Sequence, residues 1–341
     1  MTTPGKILFF KFGAMGDVLM TTPLLRQTRR VFPQAQIEFW VARGFDAVLV
    51  NNPYLDKIQT FDPAIFTEKK WTGLLALTKG MRGFDLVFVL DKHWSFAVTA
   101  FLAGIPRRVG FWRDGICRVL LTQGVPYGPI RHEIHYYLDL LETLTPVDRL
   151  DVSMDFSPTP VEPDPSQALP SDYVACINSG GNNLRESSAI RMLPARLFIQ
   201  LVDILRGKGP VVLLGDAGDH AWYRSLDLPS DIINLAGKLN LAGSVQVMRN
   251  ARHIYVTDSG AMHLAGTTAT PMTVFFGPTH PQRKAPLRSG VSAIWADESD
   301  YDNDYEVYGR LPRRSDYFQT TSLESVDAAT SLAAVPRSDQ L

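Results

Sequence analysis

The chain has 341 residues, 45% hydrophobic and 20% charged, a globular composition too long for one ordinary core, so two domains are expected. Lys and Arg number 34 against 35 Asp and Glu, a net charge of -1, which excludes the broad positive field of a non-specific nucleic-acid binder. Cys117 and Cys176 are the only cysteines and fall in separate halves, which excludes a cysteine-rich zinc site and a disulfide framework and fits a reducing cytoplasm.

In chain order, residues 7–12, 37–41, 86–90 and 108–111 are β-branched or aromatic runs that predict strands, with helical patterns between them up to about residue 144. The first of these helical patterns covers residues 18–31. Around Ser157 the periodicity stops, and Pro158, Pro160, Pro163 and Pro165 exclude a helix or a central strand, so residues 157–172 are expected to form an interdomain linker. The alternation restarts with strands expected over residues 173–178, 211–215, 232–235, 253–257 and 272–276. After Trp295 it weakens through an acidic stretch and a basic one from Arg310 to Arg314, then ends in a helix expected over residues 322–334. Such alternation implies parallel sheets covered by helices on both faces, with ligands at the carboxyl ends of the strands. The apolar run from Ile7 to Phe10 is too short for a signal-peptide core, and no window approaches a membrane span of about 20 residues, so any membrane contact is expected to be peripheral.

The first strand-to-helix turn reads Lys11-Phe12-Gly13-Ala14-Met15-Gly16-Asp17. Gly13 and Gly16 allow the backbone close to a ligand, and Asp17 stands near a helix start, where capping and proton abstraction are both open. A dinucleotide site is disfavoured: the third glycine is missing, and Glu38 precedes Phe39-Trp40-Val41 within a strand rather than ending it.

Three turns of the second half share a different character. Asp258-Ser259-Gly260-Ala261-Met262-His263 opens a helix with a hydroxyl and amides suited to phosphate. Asn178-Ser179-Gly180-Gly181-Asn182-Asn183 is rich in small donors and is followed by Arg185 and Arg191. Gly215-Asp216-Ala217-Gly218-Asp219 carries carboxylates able to bond ribose hydroxyls. Together they compose a nucleotide-sugar site, with Arg191 suited to a departing diphosphate because guanidinium forks onto phosphate oxygens.

Other patterns carry less. Asp300, Asp302 and Asp304 alternate as in a calcium loop, but Tyr305 and Leu311 stand where that loop needs glycine and glutamate, so a solvated acidic loop is expected. No histidine pair or Gly-x-Ser-x-Gly elbow points to a metal or serine hydrolase. His132-Glu133 opens a helix, either as a structural start or as an acceptor contact.

Gly16-Asp17-Val18-Leu19 with Thr21-Thr22-Pro23-Leu24, and Asp258-Ser259-Gly260-Ala261-Met262-His263-Leu264 with Phe276-Gly277-Pro278-Thr279-His280-Pro281, resemble the two signatures of the ADP-heptose:lipopolysaccharide heptosyltransferases, glycosyltransferase family nine. Weaker similarity covers residues 103–111, His132-Glu133, and Ile177-Asn178-Ser179-Gly180 leading to Arg191-Met192-Leu193-Pro194. The sequence departs from the family where Arg191 replaces a donor-binding lysine, Leu193 a tryptophan and Ala261 a proline, and it lacks a cysteine-containing segment after Gly-Pro-Thr.

The resemblance implies a GT-B fold of α/β class: two Rossmann-like domains whose parallel sheets face each other across a cleft. Residues 1–156 would bind the acceptor, residues 173–320 the donor, and residues 321–341 would form a terminal helix and tail. It further implies an inverting, metal-independent transfer of heptose from ADP-heptose to a lipopolysaccharide core acceptor bearing Kdo or heptose, at the inner face of the cytoplasmic membrane. Asp17 is then the general base, supported by Gly13 and Gly16. Ser179, Gly180, Arg191, Asp216, Asp219, Asp258, Ser259, Gly260, Met262 and His263 hold the donor. Lys57, Lys69, Lys70, Arg107, Arg108, Arg113 and His132 are acceptor candidates. No cofactor or metal is expected; the partners are a nucleotide-sugar and a glycolipid or oligosaccharide. A UDP- or GDP-sugar transferase, a nucleotide-sugar epimerase and a non-catalytic binding protein stay open as alternatives.

Overall fold

The structure, a computed structural model, describes residues 3–181, 188–295, 299, 301–310, 313–314, 316–318 and 323. Asn182, Asn183, Arg185, Asp300 and Leu311 lie outside the described residues, as does all of the expected terminal helix except Leu323. The chain divides into two compact units, Met1–Pro158 and Thr159–Leu341.

The first unit carries β1 (Lys6–Lys11), β2 (Gln36–Ala42), β3 (Lys57–Phe61), β4 (Leu86–Val89), β5 (Arg107–Trp112) and β6 (Gln123–Pro126), paired in the order β3-β2-β1-β4-β5-β6. The second carries β7 (Val174–Ile177), β8 (Val211–Leu213), β9 (Ile233–Asn234), β10 (His253–Thr257), β11 (Met272–Phe275) and β12 (Val291–Ile294), in the order β12-β11-β10-β7-β8-β9. Every pairing is parallel. Counted within its own unit, each sheet runs 3-2-1-4-5-6, the doubly wound order whose strand sequence reverses between the first and fourth strands. In β1, Phe9 stacks on Phe39 and meets Phe88, while Phe10 packs with Phe61 and Phe96. Burial on both faces explains why β1 is a continuous apolar run instead of an alternating one.

Three strands were not foreseen, and all three lie at sheet edges: β3 (KIQTF), β6 (QGVP) and β12 (VSAI). An edge strand has one paired side, so a half-exposed sequence with few apolar residues suffices. The helix expected over residues 18–31 is two helices, Met15–Leu19 and Thr22–Val31. Pro23 has no amide for the Leu19 carbonyl, and Thr22 Oγ1 donates to it instead at 2.8 Å; Thr21 Oγ1 likewise donates to the Val18 carbonyl.

Candidate active site

In each unit the chemistry-bearing turns flank the point where strand order reverses. In the first, β1 leads into residues 12–17 and β4 into Asp91 and Lys92. The two turns are tied: Phe12 N donates to Asp91 Oδ2, and Lys11 Nζ lies 3.5 Å from Asp91 Oδ1. Gly13 is required by a close approach, since a Cβ there would fall 2.4 Å from a ring carbon of Phe45. The Gly13–Ala14 peptide is cis. Asp17 is half-buried in the first turn of the helix Met15–Leu19, whose N-cap position belongs to Ala14.

Behind Asp17 stands a charged cluster. Lys92 Nζ donates to Glu133 Oε2 at 2.6 Å and sits 4.3 Å from the Tyr127 ring centre, and the Tyr127 hydroxyl donates to Glu133 Oε1 at 2.5 Å. Glu133 is buried, so this pairing is what allows its charge inside. The Tyr137 hydroxyl is buried without a hydrogen-bond partner among the described residues. Burial, and then the negative charges of Asp17, Glu133 and Asp91, hold its phenol well above the usual range. Lys92 and Tyr137 escaped the sequence reading, having no motif; only Lys92's place just after β4 marked it.

The acceptor candidates divide by strand register. Leu8 pairs with Glu38 and Glu38 with Lys57; Ile7 pairs with Leu86 and Leu86 with Arg107, with Arg108 one step on. Lys57, Arg107 and Arg108 therefore belong to the strand-start edge, opposite to Asp17, which corrects their grouping with the site. Lys57 lies 3.6 Å from Glu38, and Arg108 donates to the Leu120 and Ile105 carbonyls and stacks on Phe101. Arg113, just past β5, and His132 belong to the Asp17 edge. His132 is buried, its Nδ1 accepting from Ile134 N at 3.2 Å as a helix cap.

In the second unit, Asn178-Ser179 follows β7 and Asp258-Ser259 follows β10. Ser179 N donates to Thr257 Oγ1 at 2.9 Å, and that hydroxyl donates back to the Ser179 carbonyl at 2.7 Å. Asn178 bonds both ways with the backbone of Leu193, accepting from its N at 2.8 Å and donating to its carbonyl at 3.0 Å. This clamp carries Arg191 to the turn. Arg191 Nη1 lies 3.3 Å from Asp258 Oδ2, while Nε and Nη2 both donate to the Tyr305 hydroxyl, at 3.0 and 2.6 Å. Asp258 also accepts from Thr279 Oγ1. Ser259 opens the helix Gly260–Ala265; its Oγ caps nothing and is buried without a hydrogen-bond partner among the described residues. Gly180, Met262 and His263 are buried around it.

Asp216 and Asp219 form a reciprocal capping box on the helix Ala217–Arg224: Asp219 N donates to Asp216 Oδ1 and Asp216 N to Asp219 Oδ2, at 2.9 and 3.0 Å. Their carboxylates thus have a structural task, which the sequence reading assigned only to ribose binding. Burial pushes the Asp219 carboxyl up to about 6. The acidic stretch also differs from the solvated loop expected of it. Asp302 is buried and caps the helix Asn303–Tyr308 through Tyr305 N, while Asp304 pairs with Arg310 and Arg313 at 3.0 Å. This small helix delivers Tyr305 to Arg191.

Residues 74–306 match the family model described as glycosyltransferase family 9 (heptosyltransferase). Lipooligosaccharide heptosyltransferase 2 of Haemophilus ducreyi is 24% identical over 83% of this chain and 86% of its own. That of Haemophilus influenzae is 33% identical over 104 residues, 28% of this chain and 30% of its own. Among solved structures, the glycosyl transferase family 9 protein of Veillonella parvula superposes with a TM-score of 0.80 at 19% identity, over 96% of this chain and 97% of that one. The E. coli ADP-heptose lps heptosyltransferase II gives 0.70 at 21% identity, over 97% and 100%. These structural likenesses establish the GT-B fold.

Proposed function

The chain belongs to glycosyltransferase family 9, the heptosyltransferases, and on that premise we propose that it transfers heptose from ADP-heptose to a lipopolysaccharide core acceptor ending in Kdo or heptose. The observation that carries this reading is the arrangement Arg191–Tyr305–Asp258–Thr279 beside the buried, unpartnered Ser259 hydroxyl at the switch point of the second sheet. It supplies a pre-oriented guanidinium and a hydroxyl where a doubly wound sheet takes its ligand, and these suit a diphosphate. Support for the sugar and base comes from the relatives, whose names are lipooligosaccharide heptosyltransferases, and from a matched structure named for ADP-heptose.

The acceptor hydroxyl attacks the anomeric carbon as the bond to the diphosphate oxygen breaks, inverting the configuration in one displacement. Asp17 takes the hydroxyl proton, a contribution of about 10²- to 10⁴-fold. Arg191, Ser259 and the amides opening the helix at Gly260 stabilise the charge gathering on the departing ADP. Fixed positive groups fill the role a divalent ion has elsewhere, so EDTA leaves turnover unchanged; loss of turnover restored by added magnesium contradicts this. The acceptor is a glycolipid met at the inner face of the cytoplasmic membrane.

Calorimetric titration with ADP-heptose, UDP-sugars and GDP-sugars tests the donor. Saturable binding of ADP-heptose, weakened by Arg191→Ala, is expected. Binding of a UDP-sugar with none of ADP-heptose refutes the assignment.

A further inference from the structure

Three consecutive helices, Trp71–Gly80, Trp94–Leu102 and Gly115–Leu120, cover one side of the first sheet. The middle one packs against both others, and Leu77, Phe96, Ala100 and Cys117 from the three share a core with Val87 and Val89 of β4. With one face committed to that core, the other should be polar. It is not. Trp71 and Leu75, one turn apart, are 74% and 69% exposed, and Val119 is 81% exposed, with Trp94, Phe101 and Ile116 also outside. Of twelve exposed large hydrophobics among the described residues, seven lie on these helices, so the apolar surface is gathered rather than scattered.

Charge is gathered there too. Residues 68–123 hold nine Lys and Arg against three Asp and one Glu in a chain whose net charge is -1; of the nine, Lys92 is held by buried Glu133, Arg107 and Arg108 belong to the strand-start edge, and Lys70 pairs with Glu68 at 3.1 Å. The three aspartates turn onto backbone: Asp85 accepts from the Gly5 and Lys6 amides, Asp91 from Phe12 N and Asp114 from Cys117 N. Lys69, Lys79, Arg82 and Arg118 are exposed. Lys69 and Lys70 precede the first helix, Lys79 continues the stripe of Trp71 and Leu75, and Arg118 is exposed between Ile116 and Val119.

We propose that this face binds the surface of an anionic lipid bilayer. Trp71, Leu75, Ile116 and Val119 enter the boundary between headgroups and acyl chains, and Lys69, Lys70, Lys79 and Arg118 meet lipid phosphates. Charge selects this occupant over a second copy of the chain, because a two-fold contact would set the same cations against themselves. Among the described residues no helix is long and apolar enough to cross a membrane, so the attachment is peripheral. The three helices follow the carboxyl ends of β3, β4 and β5, the edge that carries Asp17. The inference stands on exposure and charge and does not depend on the donor.

The test is co-sedimentation of the full chain with phosphatidylcholine vesicles with and without phosphatidylglycerol. Binding is expected to the anionic vesicles and to weaken with added salt. Trp71→Ser with Leu75→Ser should lower it about tenfold or more. Lys69→Gln with Lys70→Gln should lower it about fivefold per cation. Both pairs are at exposed positions; circular dichroism of both variants, and transfer to a delipidated acceptor by the Trp71 and Leu75 variant, should stay at the wild-type level. The proposal falls if the wild type stays in the supernatant with anionic vesicles, or if the Trp71 and Leu75 changes leave binding intact. It also falls if sedimentation velocity shows a dimer that those changes dissociate, which assigns the face to a second copy. Vesicle binding without sugar transfer would sink the proposed function and leave this inference standing.

Discussion

Arg191 is held by groups more than sixty residues away in the chain: Tyr305 accepts from its Nε and Nη2, and Asp258 faces its Nη1. Tyr305→Phe removes the oxygen those two donors share, so a hydrogen bond to a charged group is lost, worth about 1.5–3 kcal/mol. Donor affinity in calorimetry should fall about tenfold or more while the fold is kept; unchanged affinity would mean that Tyr305 does not orient Arg191. Asn178→Ala removes both bonds to Leu193 and should lower the unfolding free energy measured in urea by about 2 kcal/mol, since buried backbone groups lose their partners. Asp258 and Ser259 were visible in the sequence because they sit in a turn directly after a strand, and Arg191 because it follows the donor-rich turn after β7. Thr279 was visible only as part of the family signature, and Tyr305 was not visible at all as a site residue, since neither spacing nor composition says which distant side chain reaches a cation. Lys57, Arg107 and Arg108 were misplaced for a related reason: a strand shows its cations but not which end of it lies near the site.

The order of elements was legible wherever a strand is buried on both faces, as β1, β4, β7 and β10 are. It failed at three of the four edges, where β3, β6 and β12 are held by one neighbour and need little apolar sequence, while the edge strand β9 was foreseen. The segment after the helix Glu133–Glu142 has no regular structure to announce it, yet it is anchored to the helix Thr22–Val31. Buried Arg26 bonds Asp151 at 2.6 Å, Asp155 and the Ser153 carbonyl, and Gln27 exchanges bonds with Asp148. The bond from Arg26 holds the Asp151 carboxyl below its ordinary range. Arg26→Ala takes the buried guanidinium from half-buried Asp155 and leaves Asp151 with the exposed Arg30, and should destabilise the first unit by about 3–5 kcal/mol in urea unfolding. A change below about 1 kcal/mol would show the clamp to be a surface ion pair.

Across the whole molecule the same strand order occurs twice, and in both sheets the functional turns sit at the reversal of that order. The acid response of the second unit is expected to be a balance of two opposed groups. Burial, with the charges of Arg252 and Arg288, lowers His253 to about 4. Its contribution to stability is complete above the unfolded value of about 6.5 and is lost as the pH falls toward 4. Asp219, raised by burial to about 6, behaves oppositely, favouring the folded state in acid and losing that contribution as the pH rises through 6. Between about pH 4 and 6 the two slopes oppose. Asp219→Asn, which keeps the cap acceptor, should therefore make urea stability fall more steeply with acid, and His253→Gln should make it fall less. Parallel curves for wild type and both variants would contradict this.

The central claim is that this family 9 enzyme moves heptose from ADP-heptose with Asp17 as the base. The most direct measurement follows the mass of a Kdo-terminated lipopolysaccharide core acceptor incubated with ADP-heptose and either the wild type or Asp17→Asn. The wild type should add one heptose, and the variant should do so about a hundredfold more slowly or less while binding ADP-heptose with nearly the same affinity. Transfer by Asp17→Asn at the wild-type rate, or a wild type that leaves the acceptor unchanged, would contradict the account.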